Sequence, residues 1–412
     1  MAAHDEERVK KRKRKRTRPE QLSETKREAR THKKRRALPR LLLRLVLIAA
    51  LAVGCLWVSR NFDSLSPAAI SDWFDETLAG GIRGDGFPLT VDGDAVVSVG
   101  ALGDSLAVLS DNALTIYNKN AGELARRLHN YAEPALELAG SYALVAEIGG
   151  KRLTLGTRND TMLEFTASDA IVTAAVAKNG RFAIATGADK SHTSKVTVYD
   201  RRGEELYSWV SAELQVVDLA FNAAGTQVAV AGITAKNAEL YSALTVLAVS
   251  GSAPVSYEEA GVMLCAVGFA DSDTVAAVGS DVLWLAAADG SGKTAYTYAD
   301  QELLSYTISP SIVSLVLRSY GSADGGELVM LDETGQVTQT AAFADTFRHV
   351  AGGDSRVLLL TDRHLYSFKA DGKRQQAETA ADGRLTVSLA NRALVMGLTA
   401  ITDYPLVDNG VE

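Results

Sequence analysis

The chain has 412 residues, 47% of them hydrophobic and 23% charged, which excludes a wholly disordered chain, a collagen-like repeat and a polytopic membrane protein. Two cysteines exclude a disulfide-stapled scaffold. The net charge of −7 hides a division: residues 1–44 carry 18 Lys/Arg against 6 Asp/Glu, while the rest carries 25 against 44, so the two segments face different surroundings.

The first element is a basic tail. Lys10, Lys11, Arg12, Lys13, Arg14, Lys15 and Arg16 form one cluster, and Lys33, Lys34, Arg35 and Arg36 form a second. Self-repulsion and the lack of an apolar face predict disorder over residues 1–40. An apolar stretch follows, with Leu41, Leu45, Ile48, Leu51, Leu56 and Trp57 along it and Arg44 as its single charge. Eighteen such residues make a helix about 27 Å long, near the thickness of a hydrocarbon core. Arg44 can snorkel to the headgroups, and Trp57 falls where an interfacial aromatic anchors the far end. Residues 41–59 are therefore expected to form one transmembrane helix. Only Arg60 and Arg83 follow it over residues 60–86, so the positive-inside rule places the tail in the cytoplasm and the C-terminal bulk across the membrane.

Three rival readings are weaker. A cleaved leader would have a basic region far too long, and the bulky Leu56-Trp57-Val58 offers no small-residue cleavage site. Leu51-Ala52-Val53-Gly54-Cys55 only loosely resembles a lipobox, which leaves lipidation of Cys55 as an alternative. A nucleic-acid patch is the third, but basic blocks beside a span are usually topogenic and lipid-facing.

Residues 60–86 read as a juxtamembrane helix and glycine-rich linker. Ser66-Pro67 marks a helix start, Ile70, Trp73, Phe74 and Leu78 share one face, and Gly80, Gly81, Gly84 and Gly86 end it. That face packs on the main domain or lies on the outer leaflet.

Residues 87–412 repeat. Polar turns lead into apolar strands, as in Asn179-Gly180-Arg181-Phe182-Ala183-Ile184-Ala185 and Gly225-Thr226-Gln227-Val228-Ala229-Val230-Ala231. Other strands end in glycine turns, as in Tyr199-Asp200-Arg201-Arg202-Gly203 and Leu331-Asp332-Glu333-Thr334-Gly335. First strands are expected near Val96, Ala135, Ile171, Leu214, Val262, Leu303, Thr346 and Arg384, a period near 40. With four short strands per period, the chain reads as all-β, a β-propeller of about eight four-stranded blades, with seven as the alternative. Small residues such as Ala183, Ala229 and Ala276 suit strands where facing sheets approach closely. The last repeat lacks a strand, and the orphan Phe87-Pro88-Leu89-Thr90-Val91 is expected to close the ring beside it.

This order of features resembles a family of single-pass proteins from Gram-positive bacteria, with a basic cytoplasmic tail, one span and a propeller-like extracytoplasmic domain. The resemblance rests on layout and repeat texture over essentially the whole chain, and it implies no assigned activity. The repeats are distantly similar to WD40 and quinoprotein-type propellers, but no Gly-His to Trp-Asp pairing recurs, and Trp209 and Trp284 are the only tryptophans in the repeats.

No catalytic constellation is visible. His129, His192, His349 and His364 have no metal-ligand spacing and read as turn or surface residues. Cys265, inside an apolar strand, reads as a buried inert thiol. Asp271-Ser272-Asp273 and Asp289-Gly290-Ser291-Gly292 read as hairpin turns rather than calcium loops. Glu204-Glu205 and Glu258-Glu259 point to opposite strand faces and form no acid/base dyad. No cofactor or metal is expected, and the acidic main domain argues against nucleic acid. The function expected is a non-enzymatic binding module of the bacterial envelope. Anionic lipid would meet the tail, and an envelope protein or cell-wall polymer would meet loops 187–195, 234–242 and 319–326. A propeller enzyme of glycan-processing or lyase type, or a sensor coupled to the tail, is the alternative.

Overall fold

In the computed structural model, the described residues are 84–406 apart from 92–94, 188–191, 354–355 and 390. The predicted tail, span and juxtamembrane helix, including both basic clusters and the anchor residues from Leu41 to Trp57, lie outside them. No described helix is long and apolar enough to cross a membrane.

The repeats fold into eight four-stranded antiparallel sheets. Their first strands are Val96–Leu102, Pro134–Ala139, Ile171–Val176, Gln215–Phe221, Leu264–Phe269, Gln301–Ser309, Phe347–Gly352 and Leu385–Leu389. Each begins within two residues of its expected position. Neighbouring sheets meet through these first strands, and the first strand of blade eight also meets that of blade one. The ring is closed, with the first strands innermost and eight blades rather than seven.

The core is correspondingly a circle and not a centre. Eight apolar clusters occupy the eight blade interfaces, for example blades four and five around Trp284 and blades eight and one around Leu106 and Ile401. Each second strand serves two of them. In Thr274–Gly279, Val275 and Ala277 face blade four while Ala276 and Val278 face blade six. The same alternation sends Val357 and Leu359 to one neighbour and Leu358 and Leu360 to the other. A strand with period two that is buried on both faces must be apolar throughout, which is why these segments read as unbroken apolar runs. Fourth strands such as Thr161–Thr166 bury no residue fully, and the half-buried Leu163 and Phe165 alternate with the exposed Met162, Glu164 and Thr166.

Closure uses the two ends of the repeat region. Leu89–Thr90 pairs antiparallel with Ala400–Pro405, placing Leu89 opposite Ile401, and the Val91 amide donates to the Thr399 carbonyl at 2.9 Å. The N-terminal strand thus becomes the outermost strand of blade eight, as expected, and covers an edge that would otherwise be open.

Turn chemistry sets the hairpins. The Asp200 carboxylate accepts the amides of Arg202 and Glu204 at 2.8 and 2.9 Å, and Gly203 completes the turn at φ +85°. Asp332 repeats this with Thr334 and Gln336, both at 2.9 Å. In blade one Asn118 does the same for Asn120 and Gly122, but the left-handed position falls on Ala121 at φ 62°, where a Cβ is unfavourable.

Candidate functional site

A ring of this kind has two faces. Because adjacent strands are antiparallel, connections between second and third strands share one face with the connections between blades. First-to-second and third-to-fourth turns share the other. Between the faces runs the axial channel, walled by the innermost strands.

The loops expected to carry recognition all join second to third strands, so they share the first face. Residues 234–242 are not a loop, however. The strands run Gln227–Lys236 and Glu239–Ala248, and Asn237 and Ala238 at φ 53° and 65° make the two-residue turn. This long hairpin carries the exposed Leu240, and Lys236 braces it by an ion pair to Glu258 at 2.7 Å. In blade six the corresponding connection holds Tyr320, which is 65% exposed. Of loop 187–195, residues 188–191 are not described. On the same face, six innermost strands begin with a register shift that leaves Val97, Val172, Val217, Cys265, Leu304 and Arg348 outside the strand pairing. Such bulges re-aim side chains at a rim, and here they surround the channel with residues that are mostly apolar, Val97 and Val172 being exposed.

Cys265 departs from expectation. It is exposed, because the bulge frees it from pairing. Its thiol donates to the Val278 carbonyl at 3.3 Å, and surrounding protein raises its pKa, so it stays a thiol. His349 departs too: it lies on the innermost strand of blade seven rather than in a turn or on the surface, and its Nδ1 accepts the Thr386 amide at 3.2 Å. Burial lowers its pKa, so the ring is neutral and bridges two blades. His364 contacts Asp345 at 2.6 Å, both half-buried at the junction of blades six and seven. His129 stacks on Tyr131, and His192 adjoins the undescribed loop.

The Asp-rich segments form hairpin turns, and the adjacent glutamates pair with different lysines. Asp271 accepts the amides of Asp273 and Thr274, both at 2.6 Å, and Asp289 accepts that of Ser291 at 2.8 Å. Glu258 pairs with Lys236 within its own blade, while Glu259 pairs with Lys293 of the next, so the two carboxylates do diverge. Among the described residues no group of three or more His, Cys, Asp or Glu could hold a metal ion.

What the sequence missed lies in the channel. A cavity of about 500 Å³ is bounded by the innermost strands of blades two to six and reaches the first-to-second turns, and so the second face. Glu137, Asp218 and Tyr306 line it, from blades two, four and six. Asp218 is anchored: its Oδ2 accepts the Val267 amide of blade five at 2.9 Å, and Thr173 and Leu219 also donate to it. Burial nevertheless pushes its pKa up to about 6. Glu137 makes no hydrogen bond or ion pair among the described residues. Its side chain is exposed to the channel's solvent, while desolvation by the walls followed by the charge of Asp218 pushes it up to about 8. Desolvation, then Asp218, Cys265 and Glu137, raise the Tyr306 phenol in turn. The signal available in the sequence was one acid inside each of two otherwise apolar first strands, Pro134-Ala135-Leu136-Glu137-Leu138-Ala139 and Val216-Val217-Asp218-Leu219.

Solved structures share the arrangement. Apo AztD from Citrobacter koseri is 12% identical, with 77% of this chain and 92% of that one covered and a TM-score of 0.51. BamB from Moraxella catarrhalis is 14% identical, with 77% and 98% covered and a TM-score of 0.51. At such identities the likeness is one of fold. No curated protein matches the sequence. A family model does match, over residues 90–400 from the closing strand to the last blade, and by it the chain belongs to DUF5711, a family of unknown function.

Proposed function

We propose that the chain is a membrane-anchored, extracytoplasmic binding module of the bacterial envelope, and not an enzyme. In this reading residues 41–59 span the membrane of a Gram-positive cell. Lys10–Arg16 and Lys33–Arg36 lie on anionic lipid at the cytoplasmic surface, each basic residue contributing roughly 1 kcal/mol. The propeller then presents its first face to a protein partner.

One observation carries the binding role: five of the exposed large apolar side chains lie on that face's connections and strand starts. Val97, Val172 and Met263 lie near the channel rim, and Leu240 and Tyr320 lie on the two extended connections. Exposed apolar groups on one face of a soluble domain mark an interaction surface, and tyrosine is enriched at such interfaces. That composition favours a protein over a cell-wall polymer. His349, on an innermost strand, is engaged by the Thr386 amide, and burial is what lowers its pKa.

Capture from detergent-solubilised membranes tests this reading. The full-length chain should recover a recurrent protein partner, and Leu240→Ser with Tyr320→Ser should lose it. A capture that recovers nothing, or only wall polymer, overturns the protein-partner reading. Protease shaving of intact cells tests the topology separately: the propeller should be degraded, and its survival would refute extracytoplasmic placement.

A further inference from the structure

The channel cavity does not share the docking face, and it poses a separate problem of charge. Every charge that acts on its ionisable groups is acidic: Asp218 on Glu137, and Asp218 and Glu137 on Tyr306. Lys178 lines the rim, yet it is no cause of the behaviour of Glu137 or Asp218. Ionising Glu137 beside Asp218 without a counter-charge is unfavourable in the empty protein, even though channel solvent reaches the side chain. Elsewhere this molecule avoids that cost. Glu302, also on an innermost strand, is met by Arg318 at 2.7 Å, whereas Glu137 faces a void.

The size and walls of the void narrow the choice of occupant. Its volume of about 500 Å³ lies in the range of small-molecule sites and greatly exceeds what one ion and a few waters need. Among the described residues the lining acids form no group that could hold a metal ion, and much of the remaining wall, including Leu138, Phe221, Phe269 and Ile308, is apolar, with Lys178, Asn222, Asp271 and Ser272 as its other polar members. Carboxylates backed by aliphatic and aromatic surface suit a cation with an apolar body.

We propose that this cavity binds a small organic ammonium ion, its charged head held by Glu137 and Asp218 and its apolar body laid against Leu138, Phe221, Phe269 and Ile308. Tyr306 offers its hydroxyl oxygen from the opposite wall. The site goes beyond the docking reading and does not depend on it, because it opens to the other face.

The test is calorimetric titration of the full-length chain in detergent micelles, with protein-free micelles as blank. Butylammonium chloride is the probe, 1-butanol its neutral counterpart, and calcium and zinc chloride the metal arm. Butylammonium should bind saturably at one site and butanol should not. Glu137→Gln should weaken binding at least tenfold, while Glu302→Gln, on the same ring of strands, should leave it unchanged. Because Glu137 makes no hydrogen bond, Glu137→Gln should keep the wild-type circular dichroism spectrum. Should it not fold, Asp218→Asn serves instead, since its amide oxygen can still accept the Val267 amide. It should also weaken butylammonium, and unchanged affinity there counts against the site. Absence of saturable ammonium binding, equal affinity in Glu137→Gln, equal binding of butanol, or Glu137-dependent binding of a metal without ammonium binding would each overturn the proposal. Partner capture by the wild-type chain alongside no ammonium binding would sink this site and leave the docking reading standing.

Discussion

The blade interfaces and the axial channel are built by the same strands under opposite rules. Between blades, second strands bury alternate residues on both faces, and the clusters there are apolar. Along the axis, the first strands of those same blades place Glu137, Asp218 and Tyr306 around a cavity without meeting their charge. The interfaces hold the ring together, and the channel spends part of that stability. A protein is only marginally stable overall, and at neutral pH the Glu137 carboxyl limits the cost by holding its proton.

Five substitutions probe that contrast. Trp284→Ala should be the most damaging. The indole is fully buried between blades four and five, beneath the Lys293 ammonium 3.6 Å from its ring centroid. Its loss should cost about 3–5 kcal/mol in denaturant unfolding. A loss under about 1 kcal/mol would mean that the interfaces are not what holds the ring.

Glu137→Gln should act in the opposite direction. Its carboxyl, ordinarily at 4.5, is pushed to about 8 by burial first and Asp218 second, so the folded chain holds the proton more tightly than the unfolded chain. The contribution is then fully favourable below about pH 4.5 and is lost as pH rises through 8. Melting temperatures of the wild type should carry this downward slope, reduced by the channel solvent that reaches the side chain. Glu137→Gln should flatten it and be the more stable protein at pH 8. A steeper or unchanged slope in the variant would remove the channel's distinction.

Backbone effects come next. Gly203→Ala forces a Cβ into φ +85° and within 3.3 Å of the Phe165 ring, and should cost about 1–2 kcal/mol. Its mirror, Ala121→Gly at φ 62°, relieves strain at the same turn position but gives up a buried methyl. Chemical denaturation should therefore place it between neutral and about 1 kcal/mol more stable. The smallest effect should belong to Glu302→Gln, whose ion pair with Arg318 is partly solvated, at about 0.2–1 kcal/mol.

The sequence made most of the fold legible, and none of the cavity as a unit. Phe182-Ala183-Ile184-Ala185 and Val228-Ala229-Val230-Ala231 announce strands buried on both faces, and Asp200 to Gly203 announces the turn that follows a third strand. The register shifts were invisible, since nothing local distinguishes Cys265 from its neighbours. The bulge that exposes it is set by pairing with Thr274–Gly279. His349 was misplaced for the same reason: its role depends on the Thr386 amide of the next blade.

Strand phase, turn positions, the period near 40 and the need for a closing strand follow from the order of residues, because burial on both faces and left-handed turns constrain neighbours a few residues apart. Which acids meet in the channel, and which of them find no cation, was decided only when the ring closed. Glu137 and Asp218 come from blades two and four and Tyr306 from blade six, and side chains so far apart in the chain acquire a common electrostatic environment only through rotation about one axis.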